Sequence, residues 1–159
     1  MANFAKIKIY IAIRTLQDRD HIEDELVLDG GDVSSFASAN ELWEHFRIHP
    51  CRFVITDRRF ADLSDGMELA RAIRQNHPIP YVYVLVRSIM SEMNDIAQGL
   101  ELGVDDYLVR PHNPFEIRAR VLVGMRWLRY IDSIMGTTQE IPMERGRQPE
   151  MRQTFPNLA

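Results

Sequence analysis

The stretch Gly103-Val-Asp-Asp-Tyr-Leu-Val-Arg-Pro-His-Asn-Pro-Phe-Glu116 decides how the chain is read. Gly103 has the residue type that ends a helix in a left-handed turn. The run Val104 to Val109 then reads as a strand. Arg110 stands at the strand's end, directly before Pro111, where a charge meets solvent or a site. Asn113 is placed to cap a new helix whose first residue is Pro114, the one helical position where the missing proline N–H costs nothing. A helix, a strand, a charged turn and a helix thus follow one another within a few residues.

Working outward, the same alternation fills the chain. "KIKIYIAI" (Lys6 to Ile13) is β-branched and strand-like, and "LQDRDHIEDELVL" puts Leu16, Ile22, Leu26 and Val27 on one helical face. Past Gly30 and Gly31, "DVSSFA" predicts a second strand, and "SANELWEHF" predicts a helix with a capping pattern from Ser38 to Glu41. "CRFVIT" reads as a third strand running into Asp57, followed by the helix "DGMELARAIRQ", which offers Met67, Leu69, Ala70 and Ile73 for packing. "IPYVYVLV" is apolar enough for a strand covered on both faces, and "SEMNDIAQGLELG" supplies the helix that Gly103 stops. The last helix runs from Pro114 to Gly136.

Strands and helices in strict alternation predict an α/β domain, a doubly wound parallel sheet with helices on both faces. In such sheets ligands gather beyond the carboxyl ends of the strands, and Asp57, Ser88 and Arg110 all fall there. The expected organisation is one domain over residues 1–135 and a disordered tail over 136–159, where apolar periodicity gives way to Pro, Gln, Arg and Thr.

Composition narrows the function. A chain of 159 residues with 45% hydrophobic and 26% charged residues is an ordinary globule, and its formal net charge of −4 argues against nucleic acid or anionic lipid as partner. The apolar N-terminal run is too short to span a bilayer, so a cytoplasmic location is expected. The single cysteine, Cys51, reads as a buried inert thiol. His21, His45, His49, His77 and His112 show no metal-ligand spacing with one another or with Cys51, and no glycine-rich phosphate loop or nucleophile elbow is present. No enzyme is expected, and no metal or other cofactor.

The quoted stretch, with "ITDRRFADLSDGMEL" and "IPYVYVLVRS", resembles the receiver domain of two-component response regulators. The resemblance implies a five-stranded sheet in the order 2-1-3-4-5, as in flavodoxin-like folds. It also implies that Asp57 corresponds to the aspartate that accepts a phosphoryl group, Ser88 to a hydroxyl that hydrogen-bonds it, and Arg110 to the lysine that pairs with it. Tyr107 corresponds to the rotating aromatic of the output face, and Pro111 to a proline whose preceding peptide bond is often cis. In this family the fourth helix, fifth strand and fifth helix form contacts with partners. An apolar stripe through Trp127, Leu128, Ile131 and Ile134, with Val121 and Met125 adjoining, is therefore expected to be a dimer seam or docking face, or else to fold back on the core.

Departures from the family pattern carry the functional expectation. Two acids should follow the first strand to bind Mg²⁺ with the phosphoacceptor, but those positions hold Ile13 and Arg14, which cannot supply hard oxygen ligands. Asp18 and Asp20 lie a turn into the first helix and read as solvated helix-start acids. The loop after Asp57 is about one residue longer than usual and carries Arg58 and Arg59. Arginine at 110 keeps the charge of lysine but makes planar, bidentate contacts. The expectation is that Arg110, Arg14 or both pair with Asp57 and hold the receiver in one state. The chain would then be a degenerate receiver acting as an interaction module, with a histidine kinase, phosphotransfer or output protein as partner, or a second copy of itself. The alternatives are a conventional Mg²⁺-dependent receiver phosphorylated at Asp57, and a flavodoxin-like domain binding a small ligand.

Overall fold

A computed structural model describes residues 4, 6–89 and 94–137. The chain runs β1 (Lys8–Ala12), α1 (Leu16–Leu28), β2 (Asp32–Phe36), α2 (Ala39–Ile48), β3 (Phe53–Asp57), α3 (Gly66–Asn76), β4 (Tyr83–Ile89), α4 (Ile96–Leu102), β5 (Asp106–Arg110) and α5 (Pro114–Thr137). All neighbouring strands pair in parallel, in the order β2-β1-β3-β4-β5. This is the expected sheet.

Local chemistry sets the helix ends. Thr15, Ser38 and Asp65 cap α1, α2 and α3 by accepting from the backbone N–H of Asp18, Glu41 and Met67. Glu41 reaches back to the N–H of Ala37 at 3.0 Å. Gly103 closes α4 at φ 102°, and Asn113 accepts from Glu116 N–H at 2.9 Å to start α5, as the sequence suggests.

Side chains alternate across the strands and divide the core in two. Ile9, Ile11, Phe53, Ile55, Leu85 and Leu108 pack with Ile22 and Leu26 of α1 and with Val121, Met125 and Leu128 of α5. Tyr10, Val54, Val84 and Val86 pack on the other face with Leu42 and Phe46 of α2 and Met67 and Ile73 of α3. Cys51 is buried there, donates to the carbonyl of Phe53 at 3.2 Å, and has its thiol pKa pushed up to about 12 by burial.

Three expectations change. Leu16 and Val27 are exposed, because α1 meets the sheet through the i, i+4 pair Ile22 and Leu26 rather than a wider stripe. The fourth strand starts later than the apolar run and continues to Ile89, so Arg87 and Ser88 lie inside it. The apolar residues of α5 split: Val121, Met125 and Leu128 are core, while Val123, Trp127, Tyr130 and Ile134 face outward. The tail expected over 136–159 lies outside the described residues from 138 onward, as does the start of the expected fourth helix.

Candidate functional site

The carboxyl ends of β3, β4 and β5 bring Asp57, Arg87 and Arg110 to one edge of the sheet. Asp57 is directly opposite Arg87 in the parallel register, and Arg87 is opposite Leu108. Asp57 and Arg87 therefore share the face covered by α1 and α5, and both are 3% exposed. Arg87 donates from Nε to Asp57 Oδ1 at 2.5 Å and from Nη2 to Asp57 Oδ2 at 3.1 Å. The two-point contact matches the planar fork of a guanidinium to a carboxylate. Nη2 also donates to Asp18 Oδ2 at 2.9 Å, and the backbone N–H of Arg14 donates to Asp57 Oδ2 at 2.8 Å. Both oxygens of Asp57 are engaged.

Burial alone would lower the pKa of Arg87. The hydrogen bonds and charges of Asp57 and Asp18 outweigh it and hold the guanidinium above its ordinary value. Asp18 is pulled the other way: desolvation raises its pKa, but bonding to Arg87 and Thr15 and the nearby Arg110 bring it below the usual carboxylate value.

The expected partners of Asp57 are thus corrected. Arg110 shares the right face but makes its ion pair with Asp18, Nη1 to Oδ2 at 3.8 Å, and none with Asp57. Arg14 contributes its backbone, and its side chain is exposed. Asp18, read from sequence as a solvated acid, bridges the two arginines. Ser88 is opposite Val109, one residue out of step with Asp57, so strand alternation turns it to the other face of the sheet. Its Oγ is buried there without a hydrogen-bond partner among the described residues. Arg87 takes the place beside Asp57 that the resemblance gave to a hydroxyl.

One sequence signal could have found Arg87. It stands two residues on from Leu85 and four from Tyr83 in an otherwise apolar run, so it shares their buried face, and a charge there requires a partner.

The positions after β1 do not fit Mg²⁺. Ile13 is fully buried in the α1 and α5 core, Arg14 is cationic, and the oxygens of Asp57 already accept three hydrogen bonds. Among the described residues, hard, near-octahedral oxygen coordination has no donor set here. Among the described residues, no group of three or more His, Cys, Asp or Glu side chains is arranged to hold a metal.

On the other face, Tyr107 is 8% exposed, and its hydroxyl is buried without a partner among the described residues. Burial raises the phenol's pKa, and the nearby Arg58 partly counters it. Arg58, in the loop after β3, pairs with Asp65 at the start of α3 and with Asp95 at the start of α4 at 3.5 Å. It fastens the loop after Asp57 to both helices. The Arg110-Pro111 bond is cis, and so is Ile79-Pro80. Trp127 is 44% exposed and stacks on Tyr130 with ring centroids 5.8 Å apart.

Five parallel strands in this order, ending in a buried aspartate beside a cis-proline turn, define a receiver-type α/β domain. Residues 18–122 match the response regulator receiver domain family, and the chain belongs to it. It is 31% identical over 121 residues to a probable transcriptional regulator ycf27 of Porphyridium aerugineum, covering 76% of this chain and 49% of that protein. It is 30% identical over 134 residues to the regulatory protein VanRc of Enterococcus gallinarum, covering 84% of this chain and 56% of that protein. The chain spans about half the length of these curated relatives.

Among solved structures, a putative response regulator from Chloroflexus aurantiacus superposes with a TM-score of 0.70 at 22% identity, covering 76% of this chain and 98% of that one. The signal receiver domain of a putative Luxo repressor protein from Vibrio parahaemolyticus gives 0.73 at 14% identity, covering 81% and 97%. The chain is therefore a receiver domain of two-component signalling, and the relatives it matches are regulators.

The expectation that nucleic acid plays no part is withdrawn. Relatives of this chain are named as transcriptional regulators, and a modest negative charge on a receiver says nothing about what the rest of such a protein contacts. Among the described residues, no helix is long and apolar enough to cross a membrane.

Proposed function

We propose that this receiver works as a protein-interaction module held in one state without Mg²⁺-dependent phosphorylation. The observation that carries the reading is the buried two-point contact of Arg87 with Asp57, which stands at the phosphoacceptor position. A guanidinium there supplies the positive charge that metal would otherwise bring, and it fills the space in front of the carboxylate. An incoming phosphoryl group would have to displace it. Removing one partner of a buried pair leaves an uncompensated charge and costs about 3–5 kcal/mol, so the closed arrangement sustains itself.

The exposed apolar residues of α5, Val123, Trp127, Tyr130 and Ile134, are the proposed contact surface for a signalling protein or a second copy. In the longer regulators that this chain resembles, such a surface would connect the receiver to an output that contacts DNA.

The test is incubation with acetyl phosphate and Mg²⁺, followed by intact-mass measurement. No phosphoryl adduct is expected on the native chain. An adduct that is absent from Asp57→Asn would mean that the conventional phosphoryl switch is the right reading.

A further inference from the structure

Beside the Arg87 pair lies a cavity of about 420 Å³ between α1 and the turn after β5. That volume suits a small organic molecule. Ile22, Ile89 and Pro111 give it apolar walls, and Arg110, with His21 and His112 nearby, gives it a polar end.

Two arginines, Arg87 and Arg110, face two carboxylates, Asp18 and Asp57, but the contacts are shared unevenly. Asp18 is the one carboxylate lining the cavity among the described residues. Its Oδ2 accepts a hydrogen bond from Arg87 at 2.9 Å and lies 3.8 Å from Arg110. Asp57, the next carboxylate, is taken up by Arg87 and the backbone of Arg14. Arg110 is therefore left with a single long ion pair. Its side chain is 37% exposed, and its guanidinium makes no hydrogen bond among the described residues. A half-exposed guanidinium held by one long ion pair, lining a partly apolar cavity, suits a planar anion.

The geometry points to this cavity as a non-covalent binding site for a small carboxylate with an apolar body, its carboxylate on Arg110 and its body against Ile22, Ile89 and Pro111. The ligand joins the site through Asp18: an anion that draws Arg110 off Asp18 leaves that carboxylate wholly to Arg87. Its role as the input that replaces phosphorylation rests on the closed Asp57 proposed above. The binding itself does not.

The test is titration of the full chain with benzoate, benzyl alcohol and inorganic phosphate in separate arms, following the amide signals of Asp18, His21, Arg110 and His112. Saturable shifts with benzoate and none with benzyl alcohol are expected, with binding weakened roughly tenfold or more in Arg110→Gln. The folded state of that variant is checked by its remaining amide signals. An absence of saturable shifts with benzoate, equal response to benzyl alcohol, undiminished binding by folded Arg110→Gln, or a response to phosphate alone would each overturn the assignment. The acetyl phosphate assay on the same sample separates the two proposals, since phosphorylation of Asp57 together with saturable benzoate binding removes the closed-site reading and leaves the cavity.

Discussion

Two arginine–aspartate clusters sit at opposite ends of the sheet, and they are built differently. At the end where β4 and β5 begin, Arg74 donates to the carbonyls of Gly103 and Val82 and to Asp105, whose Oδ2 also accepts the N–H of Val84 at 2.7 Å. Tyr81 donates to Asp105 and lies under the Arg74 guanidinium, 4.4 Å from ring centroid to Cζ. Each nitrogen of Arg74 has a partner, much of it backbone. Where β3 to β5 end, Arg87 meets mainly side chains, and its neighbour Arg110 is poorly matched beside an open cavity. The first arrangement fixes loops. The second leaves one arginine loosely held, which suits a site.

The contrast can be tested from the largest effect down. Arg74→Ala strands Asp105, whose pKa burial already raises against its hydrogen bonds, and removes contacts to two carbonyls. It should lower unfolding stability by about 3–5 kcal/mol in urea titration. Arg87→Met alone should cost about 3 kcal/mol for the same reason, but adding Asp57→Asn should restore most of it, since the remaining neutral amide no longer needs a cation. If the double variant is as unstable as the single, the Arg87 cluster is structural like the other.

Gly99→Ala comes next. A Cβ at Gly99 would fall 1.4 Å from the Tyr107 hydroxyl, so the inward ring must move or α4 must shift. A loss of about 1–3 kcal/mol and increased Tyr107 exposure are expected. An unchanged tyrosine environment would show that α4 gives way instead.

A smaller effect concerns pH. Burial, and then the charge of Arg87, lower the pKa of His112 below its ordinary value of 6.5. The native state then binds fewer protons than the unfolded chain, so this contribution is present above 6.5 and is lost as pH falls through that value toward the folded one. His112→Gln should flatten the pH dependence of stability in that window. Also small, Trp127→Ser on the outer face of α5 removes a half-covered ring stacked on Tyr130 and should cost about 1 kcal/mol, while abolishing self-association or partner capture in sedimentation. A large loss of stability would place Trp127 in the core instead.

Much of the fold was legible in the residues. Gly103, Asn113 with Pro114, and Ser38 with Glu41 mark helix ends by local hydrogen bonds, and local bonds form wherever those residues stand. The site was legible only in part. Asp57 and Arg110 could be placed at strand ends, but which side chains meet depends on the register between strands far apart in sequence. A one-residue shift exchanges Arg87 for Ser88 and one face for the other. Asp18 was misread for a related reason: its place a turn into α1 says nothing of the arginines that β4 and β5 bring above it. Leu16 and Val27 show the complementary error, since periodicity gives a helical face but not how wide a strip of it the sheet covers.

The most direct measurement is NMR of the native chain with the amide and arginine Nε–H signals assigned, before and after beryllium fluoride is added with Mg²⁺. With Arg87 closed on Asp57, the signals of Asp57, Arg87, Tyr107 and Arg110 should stay where they are, and the Arg87 Nε–H should shift in Asp57→Asn alone. Mg²⁺-dependent shifts at those four residues in the native chain, lost in Asp57→Asn, would contradict a receiver held shut by its own arginine.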